Sequence, residues 1–307
     1  MPEGPEVSII TKGLNKILNN KKIINFEFNN KSRYYNKNLT GYKEFINNIQ
    51  TINNIQTINN KNDKTDITDK TNKLLTSFKL NEINNKGKFI YWKFNNGSII
   101  FQTLGMSGGW YINENIHSGI ILTYLDGKKE KKLYYNDQRR FGTLKIINNS
   151  KQAIIELEKK LKTIGPDILN DKTFTKSKFI TLMKTPKLQN KNISIVITNQ
   201  KIISGIGNYL KAESLYKAKI NPHRLVKSLS DTELSNLFDA MKNKIIASYL
   251  TNGASIRNYS DINNVKGEYQ FEMEVYGRKK DKYNNEIITE KISGSTQNTY
   301  WCPTLQL

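Results

Sequence analysis

Apolar side chains recur at helical spacing in the first twenty residues of the chain. They follow a Pro-Glu-Gly-Pro start, and proline is favoured in the first turn of a helix because its missing N–H is not needed there. The apolar positions are Val7, Ile9, Ile10, Leu14, Ile17 and Leu18. The pattern predicts an amphipathic helix whose first residues are held in place.

Between Leu74 and Ile147 the period of the pattern shortens. Short apolar and aromatic runs alternate there with NNG and LDG turns; the runs include KFIYWKF, SIIFQTL, GIILTYL and KLYYN. Such an alternation is typical of antiparallel strands joined by tight turns. The first half of the chain is therefore predicted to be a β-sandwich that carries the N-terminal helix.

Helical spacing returns in the second half of the chain. It is found in KQAIIELEKKLKTI, TKSKFITLMKT, GNYLKAESLYKA and LSDTELSNLFDAMKNKIIASYLTNG. The last of these begins with Ser230 and Glu233 in the spacing of a capping box. After a polar stretch at 258–268, short β-like segments predict a terminal hairpin. The fold class is thus α+β multidomain, with predicted domains at 1–150, 151–267 and 268–307.

Residues 36–73 interrupt this organisation. A hexapeptide is written twice between Asn47 and Ile58, within NNIQTINNIQTINN, and the charged segment KNDKTDITDKTNK follows soon after. Two copies are too few and too short for a solenoid. Because the composition is polar and of low complexity, we expect an inserted surface loop.

Charge narrows the class of partner. Lys and Arg outnumber Asp and Glu 48 to 27 in the 307 residues, and the formal net charge is +21 at pH 7. Such an excess favours a polyanionic partner, with nucleic acid as the leading candidate. AT-rich coding is an alternative source of part of the excess, since lysine, asparagine and isoleucine are all frequent. Charge alone therefore does not decide the function.

The single cysteine, Cys302, excludes an intrachain disulfide. His117 and His223 lie far apart in the sequence, so no thiolate and imidazole cluster for zinc is expected. The sequence also lacks an apolar run of about 18 residues and the basic-then-apolar start of a signal peptide. We expect an intracellular protein that uses no metal or other cofactor.

Two glycine-bounded segments could enter a nucleic-acid duplex. LGMSGG presents Met106 in a tight loop, and about thirty residues later DQRRFG combines Arg139, Arg140 and Phe141. An apolar wedge and an arginine can fill the hole left by an extruded base and hold its orphaned partner. The alternative is a pair of ordinary hairpin turns with Met106 and Phe141 in the core.

A third segment, ISGIGNYLKAE, places Gly205 and Gly207 directly before Asn208 at the start of a predicted helix. Exposed backbone N–H groups at a helix N-terminus bind phosphate. The spacing differs from the dinucleotide fingerprint, and a device for packing two helices is the alternative.

The N-terminus itself offers a nucleophile. If the initiator methionine is removed, Pro2 carries a free secondary amine, and an α-amino group has a pKa of about 7.7–8.0. Attack of this amine on a sugar C1′ gives an iminium that is cationic without further protonation. Glu3 could then shuttle protons, and Glu6, one turn further, could position it. The alternative is that Pro2 only starts a helix whose dipole both glutamates favour.

Seven segments occur together in an order that resembles one known family. They are MPEGPEV, KGKFIYW, LGMSGG, DQRRFG, GIGNYLKAESLY, INPHR and VYGRK. Through them the chain is similar to the formamidopyrimidine-DNA glycosylase/endonuclease VIII family over nearly its whole length, apart from 36–73. The resemblance implies a two-layer β-sandwich with a flanking helix, a helix–two-turn–helix domain and a C-terminal β-hairpin finger, with DNA bound between the domains.

The resemblance also implies roles for individual residues. Pro2 would be the Schiff-base nucleophile and Glu3 the general acid and base, with Glu6 beside them. Lys88 of KGKF matches the lysine that contacts the phosphate near the lesion. The remaining predicted DNA contacts are Asn208, the void-filling set Met106, Arg139 and Phe141, and also Arg140, Lys201 and Gln297.

The finger departs from the pattern of zinc-containing relatives. At the positions of their four cysteines this chain has Tyr283, Glu286, Cys302 and Leu305. The resemblance is therefore to members with a zincless finger. In addition, Gln297 stands where the family has a DNA-binding arginine, so that position lacks a fixed charge, for which Lys279, Lys280 or Lys291 could compensate.

The implied activity is that of a base excision repair glycosylase and AP lyase that acts as a monomer on double- or single-stranded DNA with oxidised bases or abasic sites. Gly4 resembles the endonuclease VIII branch, which favours oxidised pyrimidines, with ring-opened purines as further expected substrates. An 8-oxoguanine-preferring enzyme and a non-catalytic DNA-binding paralogue are the alternatives. An RNA-binding protein explained by charge alone would not predict the ordered motifs.

Overall fold

The computed structural model describes residues 2–59, 77–256 and 259–307. The helices are α1 (Gly4–Leu18), α2 (Tyr42–Asn59), α3 (Ser150–Lys162), α4 (Lys176–Met183), α5 (Pro186–Gln189), α6 (Ile193–Thr198), α7 (Asn208–Lys217) and α8 (Asp231–Leu250). The strands are β1 (Ile23–Phe28), β2 (Leu80–Lys86), β3 (Phe89–Phe94), β4 (Ile99–Thr103), β5 (Gly109–Tyr111), β6 (Ser118–Asp126), β7 (Lys129–Asn136), β8 (Thr143–Ile147), β9 (Ile288–Lys291) and β10 (Asn298–Trp301).

Two antiparallel sheets form the first half of the chain. One has the strand order β1-β6-β7-β5 and the other β2-β3-β4-β8. Apolar side chains from both sheets share one core, in which the Trp92 and Trp110 rings lie 5.3 Å apart. Both indole N–H groups donate to Oε1 of Gln102 at 3.1 Å, so this buried amide oxygen is satisfied. The predicted β-sandwich is confirmed, whereas β1 was missed because it precedes the region of alternating runs.

Helix α1 packs its apolar face into this core, as the spacing of its residues predicted. Val7, Ile10, Leu14 and Leu18 are buried, and Ile9 and Ile17 are half-buried. The proline at the helix start and the buried Glu6 in the first turn fix the N-terminal end. Residues 2–6 are consequently part of the folded molecule.

The loop prediction for 36–73 is wrong for Tyr42–Asn59, which form α2. Phe45 and Ile49 are buried in the sandwich core, and the ring of Phe45 lies 5.1 Å from that of Phe94. The side chain of Asn53 donates to the Ile23 carbonyl at 2.8 Å. Apolar residues four apart lie on one face of a helix, and this local spacing outweighed the repetitive composition. Residues 60–73 of the predicted loop lie outside the described residues.

The helices of the second half enclose a separate core. Helix α8 begins as expected, because Oγ of Ser230 accepts from the Glu233 N–H at 3.2 Å and the Glu233 carboxylate accepts from the Ser230 N–H at 2.7 Å. Helices α3, α4 and α7 also correspond to predicted segments, while the short α5 and α6 were missed. A helix of four to six residues gives too few periods for recognition.

The predicted terminal hairpin is present as β9 and β10, which pair antiparallel. A small apolar cluster joins this region to α7, and its buried members are Ala212, Tyr216, Val275, Ile287 and Cys302. In the described residues, no helix is both long enough and apolar enough to cross a membrane.

Candidate active site

A cleft of about 470 Å³ lies between the sandwich, the helical domain and the hairpin. Its lining includes Pro2, Glu3, Met106, Gln138, Arg139, Asn208, Tyr276, Gln297, Asn298 and Tyr300. A second cavity of about 320 Å³ is lined by Pro2, Lys88 and Met106 among others. Pro2 thus lies where the two cavities meet, and the residues around it come from all three predicted domains.

Glu3 is held at the N-terminus of α7. Its carboxylate accepts from the backbone N–H groups of Gly207 at 2.6 Å and Tyr209 at 2.9 Å. These are unpaired donors of a helix start, which favour a negative charge. Burial opposes that charge and raises the pKa of Glu3 to about 7, although nearby Lys88 lowers it. Glu3 can therefore hold or release a proton near neutral pH.

The carboxylate of Glu6 accepts hydrogen bonds from both its own domain and the helical domain. Its Oε1 accepts from the hydroxyl of Tyr209 and from the N–H of Ala254, both at 2.8 Å. Its Oε2 accepts from the Glu3 N–H at 2.7 Å, which fixes the backbone at the residue next to Pro2. This geometry suits a positioning role, since its oxygens are occupied by structural donors.

Lys88 lies in the turn between β2 and β3, and its Nζ lies beside the Glu3 carboxyl group over Gly207. A Cβ at Gly207 would collide with both the Glu3 carboxyl group and Nζ of Lys88, so these two groups flank the same glycine. Burial lowers the pKa of Lys88, while Glu3 and Glu6 raise it. The site therefore places a lysine and a protonatable carboxyl group side by side over a bare stretch of backbone.

The N-terminus reaches this position because two backbone segments approach closely. The Gly4 N–H donates to the Gly205 carbonyl at 2.7 Å. Gly205 has a φ of +94°, and a Cβ on Gly4 would lie 2.9 Å from its Cα. Only glycine combines this backbone conformation with so close an approach. The Gly-x-Gly segment thus serves as the docking surface for the start of α1.

The two loops that carry the predicted wedge residues are bound to each other. Oγ of Ser107 donates to the Asp137 carboxylate at 2.7 Å and accepts from the Arg139 N–H at 3.0 Å. The Arg139 guanidinium lies 5.3 Å from the ring centre of Phe141, whose side chain is 53% exposed. Phe141 is therefore not a core residue, and Met106 and Arg139 line the cleft.

Arg140 and Lys201, which were predicted to contact DNA, lie outside the cleft lining. Arg140 has a φ of +55°, and its guanidinium group donates to the carbonyl of Asn30, which follows β1, at 3.5 Å. Lys201 is exposed, and its N–H donates to the side chain of Asn199. Gln297, by contrast, lines the cleft beside Asn298.

Asn208 connects α7 to the hairpin and to a lysine that the sequence analysis missed. Its Nδ2 donates to the Asn298 carbonyl at 2.8 Å, and its Oδ1 accepts from Nζ of Lys211 at 2.7 Å. Lys211 is 2% exposed. The signal was available, because residues three apart on a helix are neighbours and Lys211 follows Asn208 by three positions.

The hairpin region does not fit a zinc ion. Of the four positions predicted to replace the cysteines, Leu305 has no ligand atom, Tyr283 is 65% exposed and Cys302 lies in the apolar cluster. No cluster of three or more His, Cys, Asp or Glu side chains suited to a metal occurs in the described ranges. Hydrogen bonds close the fold instead: Asp281 accepts from the Tyr216 hydroxyl at 3.0 Å, and Glu213 accepts from three successive backbone N–H groups.

Three family models match successive parts of the chain. They describe the formamidopyrimidine-DNA glycosylase N-terminal domain over 41–144, its H2TH domain over 164–260 and its C-terminal domain over 260–307. A formamidopyrimidine-DNA glycosylase of Rickettsia canadensis is 30% identical over 77% of this chain and 84% of its own length. One from Wolbachia pipientis is 29% identical over the whole of both chains.

A solved structure agrees with these matches. A variant of the Lactococcus lactis protein, in complex with DNA containing Fapy-dG, is 25% identical, with a TM-score of 0.75 over 99% of both chains. The fold and the relatives place the chain among the DNA glycosylases of base excision repair. It belongs to the formamidopyrimidine-DNA glycosylase family. The family prediction is confirmed, and the assignment to the endonuclease VIII branch stays a prediction.

Proposed function

We propose that this protein is a bifunctional DNA glycosylase and AP lyase that removes oxidised bases through a Schiff base on Pro2. The observation that carries this proposal is the placement of Glu3 next to Pro2. This buried carboxyl group lies on the start of α7, and its pKa of about 7 suits proton transfer in both directions. Nζ of Lys88 lies beside it over Gly207.

In the first step, the amine of Pro2 attacks C1′ of the damaged nucleotide after removal of Met1. The new N–C1′ bond replaces the glycosidic bond, and the base leaves with a proton. Glu3 in its protonated form then donates to the ring oxygen, which opens the sugar and gives the iminium. Because a secondary amine yields a cationic iminium directly, no further proton is needed on nitrogen.

The iminium next withdraws electrons from the sugar. It acidifies the hydrogen at C2′, and loss of that proton, to Glu3 as carboxylate, expels the 3′ phosphate by β-elimination. A second elimination, in which the C4′ proton is lost to solvent, expels the 5′ phosphate, and water then hydrolyses the iminium and releases the sugar fragment from Pro2. The product is a one-nucleotide gap with phosphate at both ends. Lys88 in its protonated form would stabilise a departing phosphate.

DNA would occupy the cleft between the domains. Asn208 at the start of α7 would bind a backbone phosphate, and the net charge of +21 would favour the polyanion. Met106, Arg139 and Phe141 would enter the duplex in place of the flipped nucleotide, a role supported by the exposure of Phe141. Gln297 would donate a neutral hydrogen bond to a phosphate.

The substrates we propose are oxidised pyrimidines and ring-opened purines. Gly4 supports the first class through the endonuclease VIII resemblance. The second is supported by the names of the relatives and by the Fapy-dG DNA bound to the Lactococcus lactis protein. Excision rates measured on matched duplexes that carry an oxidised pyrimidine, Fapy-dG or 8-oxoguanine would rank these substrates. A dominant rate on 8-oxoguanine would contradict the proposal.

Borohydride trapping on a duplex with an oxidised pyrimidine or Fapy-dG tests the nucleophile. We expect a covalent complex with the untagged protein and none with a matched protein that carries extra residues before Pro2, because its proline nitrogen is an amide. Pro2→Gly keeps a primary amine, and its trapping should fall at least about tenfold, since its imine must first be protonated.

DNA binding by the protein with extra residues before Pro2, here called the extended protein, is the control, because its phosphate contacts are unchanged. If the extended protein formed the covalent complex, the assignment of Pro2 as the nucleophile would be wrong. Failure of the untagged protein to trap on any lesion or on an abasic site, with binding intact, would favour the non-catalytic DNA-binding paralogue.

We also propose that the hairpin is a zincless finger. Glu213, Asp281 and the apolar cluster around Cys302 supply its hydrogen bonds and packing. The melting temperature and trapping yield should be unchanged after dialysis against a chelator, with no stoichiometric zinc in the purified protein. A fall in the melting temperature that zinc restores would contradict this assignment.

A further inference from the structure

Lys211 is a buried lysine whose ammonium group has one hydrogen-bond partner among the described residues, Oδ1 of Asn208 at 2.7 Å. A lysine ammonium only donates hydrogen bonds. The atom of Asn208 that faces it must therefore be the carbonyl oxygen, which fixes the orientation of the amide group. The two N–H bonds of Nδ2 are then directed away from Lys211.

One of these N–H groups donates to the carbonyl of Asn298 in β10. Asn208 also lines the cleft, beside Gln297 and Asn298. The other N–H of the Asn208 amide is then the donor left for a phosphate oxygen in the cleft. If the amide were reversed, its oxygen would face that phosphate and repel it.

The charge of Lys211 has a second consequence. Gln297 is neutral, and Lys279, Lys280 and Lys291 are exposed and do not line the cleft. A buried charge is screened by salt much less than an exposed one. Burial lowers the pKa of Lys211 to about 8, against the attraction of Glu3, so the group is mostly protonated at pH 7. It lies behind the Asn208 amide as a fixed positive charge.

We propose that Lys211 is the positioning residue of the phosphate site: it orients the amide of Asn208 and adds a protected positive charge behind it, so that a DNA phosphodiester binds there. This inference rests on the proposed function, because it needs a phosphate at Asn208. The positive charge that Gln297 lacks would then be supplied by Lys211 of α7, which lies beneath the neutral side chains of the cleft.

A double-mutant cycle of Lys211→Met and Asn208→Ala tests the proposal, with the dissociation constant for a duplex containing an abasic-site analogue as the readout. We expect Lys211→Met to weaken binding about tenfold or more, since hydrogen bonds to charged groups are strong. In the Asn208→Ala background the same change should have less than about a threefold effect. Trapping at saturating DNA should stay within about threefold of wild type, because Pro2 and Glu3 are intact.

Lys217→Met is the matched control, since it removes the same charge from an exposed position of α7 and should change binding less than about threefold. Equal effects of Lys211→Met in both backgrounds, or an effect below threefold in the wild-type background, would overturn the proposal. So would a loss of trapping at saturation with unchanged affinity, because Lys211 would then act through Glu3.

Lys211→Gln takes the place of the methionine variant in the cycle if that variant does not fold, which circular dichroism and the melting temperature establish. Glutamine can still donate to Oδ1 of Asn208 but carries no charge. If the wild-type protein does not bind lesion DNA, the proposed function fails. If wild type binds and the Lys211 variants bind equally well, only the positioning role is lost.

Discussion

Two glutamates three residues apart, Glu3 and Glu6, have different chemical character because of their partners. Both are buried, but Glu6 accepts from a tyrosine hydroxyl and an N–H of the other domain. Glu3 accepts from the start of α7 and lies next to Pro2. In the proposed mechanism, one residue type thus supplies both a proton carrier and a positioning carboxylate.

The raised pKa of Glu3 predicts how stability depends on pH. Because the folded-state value of about 7 exceeds the ordinary 4.5, the neutral carboxyl is favoured by folding, and its contribution is complete below pH 4.5 and lost as pH rises to 7. The loss amounts to about 3 kcal/mol. Glu3→Gln should remove this dependence, so the difference in unfolding free energy between variant and wild type should shift by that amount between pH 4.5 and 8.

Urea unfolding at several pH values measures this difference. Glu158→Gln, an exposed change on α3, is the control and should follow the wild-type curve. A constant difference between Glu3→Gln and wild type across this range would show that the Glu3 carboxyl titrates at its ordinary pKa.

At the scale of elements, α2 shows how composition can mislead. Its repeated hexapeptide suggests a loop, yet Phe45 and Ile49 fill the sandwich core and Asn53 bonds to the Ile23 carbonyl. The helix was formed by tertiary burial of one face rather than by strong helix formers, since asparagine, threonine and isoleucine have modest propensity. In the hairpin region, apolar packing around Cys302 and the bond from the Tyr216 hydroxyl to Asp281 hold the segments together.

Ile49→Ala tests whether α2 belongs to the core. The side chain is 1% exposed, so its truncation should lower the unfolding free energy by about 2–5 kcal/mol. The neighbouring Gln50 is exposed, and Gln50→Ala should change it by no more than about 0.5 kcal/mol. Denaturant unfolding compares the two variants. Equal, small effects would mean that α2 is not part of the cooperative core.

At the scale of the whole molecule, the start of α1 and the turn between β2 and β3 join the sandwich core to the helical core. Gly4 bonds to Gly205, Gly87 donates to the buried Asp167, and Tyr209 reaches Glu6 from α7. The active-site residues therefore depend on how the domains meet. A change in this contact should alter both stability and trapping.

Tyr209→Phe isolates this contact. The hydroxyl donates to Glu6 and lies 2.9 Å from Oγ of Ser248, so its loss leaves buried polar groups with fewer partners. The expected cost is about 1–3 kcal/mol of unfolding free energy, with a lower trapping yield because Glu6 fixes the Glu3 backbone. Tyr35→Phe, at a side chain 46% exposed, is the control and should change neither. If Tyr209→Phe changed neither the unfolding free energy nor the trapping yield, the hydrogen bond between Tyr209 and Glu6 would not stabilise the contact between the domains.

The sequence by itself determined the family, the order of sandwich, helices and hairpin, and the identity of Pro2, Glu3, Lys88 and Asn208 as candidates. These follow from local periodicity and from motifs short enough to recognise in one dimension. The tertiary structure decided which candidates share a cleft: it includes Met106, Arg139 and Gln297 and excludes Arg140 and Lys201.

Only the tertiary structure revealed the raised pKa of Glu3 and the packing of α2 against the sandwich core. The physical reason is that burial and desolvation depend on residues far apart in the chain. Glu3 meets Gly207 and Tyr209 across more than two hundred positions, and such a contact is fixed by how the domains pack, which no local pattern records.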